Sequence, residues 1–176
     1  MRVATPELTL YSTRDTRGAY TRAVTGRTPA GVHVHRVPVR FGDCDPAGII
    51  YFPRFFHFFH EAMETWFGEA LGLPYAALIG PRKIGFPAVH TEADFKIPCK
   101  LGESIDIELR VHKLGRSSIR FGYTVRTSGA PTSPVRLTGA TVCVVMDLDP
   151  QSPGFRQALP IPADLRAAIE AFGVSD

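Results

Sequence analysis

The stretch from Phe41 to Trp66, FGDCDPAGIIYFPRFFHFFHEAMETW, limits the possible folds more than any other part of the chain. Its first half is a turn: Asp43 and Asp45 bracket Cys44, and Pro46 and Gly48 prevent a regular element. Its second half is apolar with helical spacing. Phe52, Phe55, Phe56, Phe59, Met63, Trp66, Phe67 and Ala70 recur at steps of three and four and share one stripe, with Arg54, His57 and Glu61 opposite. The spacing predicts a helix from about Phe52 to Leu71, roughly 30 Å long at ~1.5 Å per residue. Pro53 suits the first helical turn, where a missing N–H costs little. Gly72-Leu73-Pro74 supplies the stop signal. Such a helix needs one broad apolar surface to lie on.

The rest of the chain reads as that surface. His33 to Phe41 alternates and predicts a first strand. After a short helical or irregular connection, Tyr75 to Lys83, a strand is expected over Ile84 to Ile97, with Pro87 and Pro98 at its ends or edges. Pro98 to Glu103 is a turn. Ser104 to Lys113 alternates cleanly, Ile105, Ile107, Leu109 and Val111 on one face and Asp106, Glu108, Arg110 and His112 on the other. A hairpin turn at Leu114 to Ser117 leads into Ile119, Phe121, Tyr123 and Val125, which continue the pattern. Arg136 to Asp147 is the last long strand, and Ala163 to Phe172 a terminal helix. One helix followed by a run of strands predicts an α+β fold: an antiparallel meander of four strands wrapped around a central helix. Residues 1–31 are polar and arginine-rich and read as an appended arm, in which Leu8 to Tyr11 is a candidate short strand; residues 32–176 form the domain.

Composition narrows the function. With 176 residues, 44% of them hydrophobic and 21% charged, the chain can build one globular core. No apolar run is long enough to span a membrane, and the N-terminus lacks an apolar leader, so a cytoplasmic setting is expected. Cys44, Cys99 and Cys143 are too few and too scattered for a disulfide framework or a zinc site, and no metal is expected. A net charge of +3 suits a small anionic ligand, but without a Lys/Arg block or a basic-aromatic repeat it argues against nucleic acid.

The order of elements, together with Phe41-Gly42-Asp43-Cys44-Asp45-Pro46-Ala47-Gly48-Ile49-Ile50-Tyr51-Phe52-Pro53, resembles the hotdog-fold thioesterases, and within them the 4-hydroxybenzoyl-CoA thioesterase branch. The resemblance covers about Val34 to Phe172. It implies a sheet wrapped around a central helix, two protomers joined into one continuous sheet as a homodimer, often paired into a tetramer, and sites at the dimer interface. It implies hydrolysis of acyl-CoA to a free acid and coenzyme A, with no cofactor beyond the coenzyme A of the substrate.

The same resemblance assigns roles. Asp45 is the catalytic carboxylate, attacking the thioester carbonyl or activating a water. The backbone N–H of Phe52, seven residues on, is the oxyanion donor, which agrees with a helix beginning there. Lys113, Arg116 and Ser117 stand at the hairpin where relatives bind the coenzyme A phosphates; the closest branch carries two arginines and a lysine in a row where this chain has Gly115, Arg116 and Ser117. Tyr51, Phe52, Phe55, Phe86 and His90 would line the acyl pocket, Phe86 and His90 replacing smaller polar residues of that branch. From the residues alone, Asp43 reads as a brace bonding backbone N–H groups of the turn, Cys44 as packing, and Glu61, Glu64, His57 and His60 as solvated or interface residues of the helix. Two other readings stand beside acyl-CoA hydrolysis: a thioesterase acting on acyl carrier protein, and a non-catalytic acyl-CoA-binding module on the same fold.

Overall fold

The computed structural model describes residues 30–175. The readings of residues 1–29, Leu8 to Tyr11 included, lie outside the described residues. In order, the elements are β1 (His33–Pro38), a 3-10 turn (Phe41–Asp43), α1 (Pro53–Glu69), α2 (Tyr75–Ile79), β2 (Ile84–Gly85), β3 (Ala88–Phe95), β4 (Ser104–Leu114), β5 (Ser118–Thr127), β6 (Leu137–Val144), β7 (Met146–Asp147) and α3 (Ala163–Phe172). Five strands form one antiparallel sheet in the order β1-β4-β5-β6-β3, and β2 pairs with β7 apart from it.

The alternation of β4 and β5 is what the sheet uses. Ile105, Ile107, Leu109, Val111, Ile119, Phe121 and Val125 are fully buried. The opposite face is charged and half-exposed, with Arg36 2.8 Å from Asp106 and Arg126 3.6 Å from Glu108. A sheet with one apolar face must be covered, and α1 covers it. Phe59 stacks flat on Tyr123 of β5 with ring centroids 4.1 Å apart, and Trp66 meets Phe121 edge-on at 5.3 Å. Gly139 of β6 lies under Phe59: a Cβ there would sit 2.7 Å from the ring and 2.9 Å from the Glu92 carbonyl, so the close approach requires glycine. At its end α1 closes with Gly72 left-handed at φ +68 and the Leu73 N–H bonded to the Phe67 carbonyl at 2.8 Å.

Four expectations are corrected. The strand expected over Ile84 to Ile97 is two strands in different sheets. Pro87 has no N–H to continue the ladder, and the chain crosses there from β7 to β6, the Pro87 carbonyl accepting the Val144 N–H at 3.1 Å. Arg136 to Asp147 is likewise divided, into β6 and β7. The meander holds only for β4, β5 and β6, because β1 occupies the place beside β4 and β3 lies at the far edge on β6. The helical stripe is also shifted. Phe58 and Ala62 are buried, while Phe52, which caps the helix from outside, is 57% exposed and Ala70 is exposed at the other end.

One core contact makes stability depend on pH. His33 of β1 is buried, its Nε2 3.0 Å from Thr65 Oγ1 of α1. Burial, aided by the charge on His35, lowers its pKa from 6.5 to about 4. In that window the unfolded chain binds a proton that the folded one does not. Stability is therefore complete above pH 6.5 and falls as pH drops toward 4, by up to ~3 kcal/mol. Denaturant unfolding at pH 7 and pH 4.5 checks this: His33→Gln should lose part of that difference.

Candidate active site

The turn after β1 is a tight antiparallel loop. Cys44 and Ile50 form a bridge, the Asp45 N–H donates to the Ile49 carbonyl and the Gly48 N–H to the Asp45 carbonyl, both at 2.9 Å. Gly48 takes φ +73, the conformation that closes the loop. The Ile50 N–H to the Cys99 carbonyl (2.9 Å) and the Leu101 N–H to the Gly48 carbonyl (3.0 Å) staple it to the segment entering β4. The Tyr51 N–H then bonds the Asp43 carbonyl at 2.9 Å, and the chain turns into α1.

This geometry places two polar groups, seven residues apart in sequence, on one cavity wall. Asp45 Oδ1 accepts the Ala47 N–H at 2.8 Å; its Oδ2 has no hydrogen-bond partner among the described residues. Phe52 caps α1, and its N–H has no acceptor among them either, while Pro53 has no N–H to offer. Asp45 and Phe52 both line a cavity of about 430 Å³ whose other walls include Ile49, Tyr51, Phe55, Phe95, Ile97 and Leu137, with Lys96 and Arg136 at its polar side. Arg136 is paired with Glu103 and also donates to the Pro98 carbonyl at 3.3 Å. An available carboxylate oxygen beside an available N–H at a helix N-terminus provides a base or nucleophile together with a donor for developing negative charge.

Asp43 is spent on structure, as its position in the turn suggests. It is buried, its Oδ2 accepts the Arg40 N–H at 3.0 Å, and its Oδ1 accepts Arg54 Nη2 at 2.7 Å and Nε at 3.1 Å. Cys44 between the two carboxylates has its thiol pKa raised, by desolvation first and then by Asp43 and Asp45. Glu61 and Glu64 pair with His57 and His60 along the outer face of α1, each at 3.0 Å.

Of the residues assigned from sequence, Asp45, Tyr51, Phe52 and Phe55 come together. Phe86 is buried and lines a second cavity of about 430 Å³, with Phe56, His60, Met63, Tyr75 and Tyr123, packing 4.7 Å from Phe67. His90 is exposed on β3, its Nε2 3.3 Å from Glu92, and borders neither cavity within one chain. Lys113, Arg116 and Ser117 sit at the β4–β5 hairpin, where Arg166 of α3 donates to the Gly115 and Arg116 carbonyls. Sequence reasoning missed Phe95, Lys96, Ile97 and Arg136 as cavity residues. Phe95 and Ile97 carried a signal, apolar residues closing a strand, but nothing local tied that strand end to the turn.

Comparison with known proteins gives the family and agrees with the fold. Residues 39–169 match the Thioesterase-like superfamily, and the chain belongs to that family as a hotdog-fold thioesterase. A 1,4-dihydroxy-2-naphthoyl-CoA hydrolase of Synechococcus elongatus is 31% identical over 129 residues, 73% of this chain and 88% of that protein. The structure of a gentisyl-coenzyme A thioesterase superposes with a TM-score of 0.67 at 28% identity, over 78% of this chain and 99% of that one. A thioesterase-superfamily protein from Jannaschia sp. superposes with a TM-score of 0.69 at 32% identity, over 81% and 93%.

Proposed function

We propose that this enzyme hydrolyses the CoA thioester of a compact aromatic acid, with Asp45 as nucleophile or general base and the Phe52 N–H as oxyanion donor. The observation that carries the reading is the available Asp45 oxygen and the available Phe52 N–H on the wall of one cavity. The aromatic walls, Tyr51, Phe52, Phe55 and Phe95, suit a flat acyl group. The relatives named for dihydroxynaphthoyl-CoA and gentisyl-CoA act on such groups.

A second copy completes the site. Within one chain the Asp45 turn lies at the Ser104 end of β4 and the hairpin with Arg116 at its other end, so the two are separated by the length of an eleven-residue strand, about 35 Å at ~3.3 Å per residue. Strand β3 is an edge strand paired only to β6 and exposed along most of its length, a surface that invites another strand. Antiparallel pairing of β3 with the β3 of a second copy reverses the partner. The partner subunit's Arg116 then stands at the Asp45 end, three strand spacings past the seam, about 15 Å at ~4.8 Å each. That offset is within reach of one extended acyl-CoA. The same pairing brings the second cavity, at the Ala88 end of one β3, beside the Phe95 end of the other.

Thiol release from a panel of aromatic and aliphatic acyl-CoAs, with one aromatic acyl group also presented on acyl carrier protein, tests the reading. Hydrolysis of the aromatic CoA thioesters ahead of the others is the expected result. Preference for the carrier-protein substrate would replace the CoA assignment, and binding without turnover would identify a non-catalytic module.

A further inference from the structure

The Asp45 turn contains a second carboxylate that the chemistry above does not use. Asp43 is buried, yet it bears a full set of partners drawn from three segments. Its Oδ2 holds the Arg40 N–H before the turn, its carbonyl holds the Tyr51 N–H after it, and its Oδ1 holds Arg54 in the first turn of α1. Arg54 is fixed from its own side as well. Its N–H bonds the Tyr51 carbonyl at 2.8 Å, and its guanidinium lies 5.4 Å from the centre of the Phe58 ring. Tyr51 is thus held at its N–H by the Asp43 main-chain carbonyl and at its carbonyl by the Arg54 main-chain N–H, the Asp43–Arg54 side-chain pair ties those two residues to each other, and the next residue carries the N–H at Phe52.

We infer that the Asp43–Arg54 ion pair is a positioning device for the reaction, setting the Phe52 N–H against the Asp45 carboxylate and neutralising the second negative charge of the turn. This rests on the reading of Asp45 as the reacting carboxylate. The argument is both geometric and electrostatic. Removing the Arg54 guanidinium leaves those main-chain bonds but cuts the side-chain link between turn and helix, and small misplacements of reacting groups are costly. It also leaves the buried Asp43 charge uncompensated two residues from Asp45, which favours protonation of the turn. The groups that face this spot are the Arg40 main-chain N–H, the Cys44 thiol, Arg54, and across the cavity Lys96 and Arg136, the last already paired with Glu103. None of these others touches Asp43 with a cationic side chain.

The test compares Arg54→Gln, Arg54→Lys and Asp43→Asn/Arg54→Gln with wild type and Asp45→Asn, measuring kcat and KM against pH alongside the melting temperature. Arg54→Gln should lose ~10-fold or more in kcat, with KM little changed, and activity should begin to fall at a higher pH on the acid side. Arg54→Lys keeps the charge, so its acid limb should match wild type while kcat falls by less. The double variant should recover the acid limb but not kcat. Wild-type kcat and acid limb in Arg54→Gln, whatever its melting temperature, would overturn the inference and leave the pair a purely structural link. If Arg54→Gln does not fold, Arg54→Lys decides: kcat equal to wild type overturns the proposal. Full activity in Asp45→Asn would instead sink the site reading itself, so the two failures are distinguishable.

Discussion

Asp45→Asn is expected to lower kcat by ~100-fold or more while KM changes little. The amide is the same size as the carboxylate, and its oxygen can still accept the Ala47 N–H that shapes the turn. In the proposed mechanism, what it loses is the charge that attacks the thioester carbonyl or draws the proton from water. An interaction made mainly in the transition state lowers kcat and kcat/KM together. The melting temperature should therefore stay near wild type while turnover collapses. A single turnover in heavy-oxygen water then probes the two roles. If Asp45 attacks the carbonyl, expels the coenzyme A thiolate and forms a mixed anhydride that water opens at the Asp45 carboxyl carbon, the first acid released carries an oxygen from the enzyme and Asp45 takes up the label; if Asp45 activates water, the acid carries the label at once and Asp45 takes up none. Activity retained in Asp45→Asn would turn attention to the carboxylates along α1, Glu61 and Glu64, which are now occupied by histidines.

The largest effect on folding is expected at the other end of the same helix. Trp66 is fully buried between Phe67, Phe121 and Phe172, at centroid distances of 4.8, 5.3 and 5.6 Å. It joins α1, β5 and α3. Trp66→Ala should cost ~3–5 kcal/mol, the transfer of a large ring plus the cavity left behind. Against a total stability of about 5–15 kcal/mol this is a large share. A melting temperature lower by ~10 °C is the corresponding reading. Trp66→Phe should cost far less, because it keeps an aromatic ring and removes an indole N–H that has no acceptor among the described residues. His57→Ala, half-exposed on the opposite face of α1, should leave stability unchanged to within ~0.5 kcal/mol. Equal losses at Trp66 and His57 would contradict the orientation of the helix.

Much of the fold was legible because it follows from local periodicity. The faces of β4 and β5 were readable residue by residue, since a half-buried antiparallel strand repeats every second position. The bounds of α3 were readable too, marked by Pro162 before it and Gly173 after it. The place of β3 was not. It is exposed on both faces at most positions and so carries no alternation, and strand order depends on distant pairings that no local pattern encodes. The stripe of α1 was misread at Phe52 because counting began one residue outside the helix, and Phe58 was passed over because it lies on the flank beside Phe55. For the candidate site, the turn motif put Asp45 forward and the helix start put Phe52 forward, and the two line one cavity. The partner of Asp43 was hidden: Arg54 is eleven residues away, and by helical angle alone it reads as a solvated side chain. The reach to Arg116 needs the antiparallel geometry of a sheet edge, which the sequence of one chain does not display.

The three thiols of the protein acquire a meaning from the reaction. Each thioester cleaved releases a free thiol, so this enzyme works in a rising concentration of a thiol product. Cys99 and Cys143 are buried, and burial raises both pKa values, that of Cys143 to about 11. Cys44, half-exposed at the cavity turn, is raised as well, by desolvation and by the carboxylates on either side of it. Exchange with a disulfide requires the thiolate, and at neutral pH all three side chains are held in the protonated form. Desolvation first, and then the carboxylates that frame the turn, therefore disfavour the Cys44 thiolate through which a mixed disulfide with oxidised coenzyme A would form.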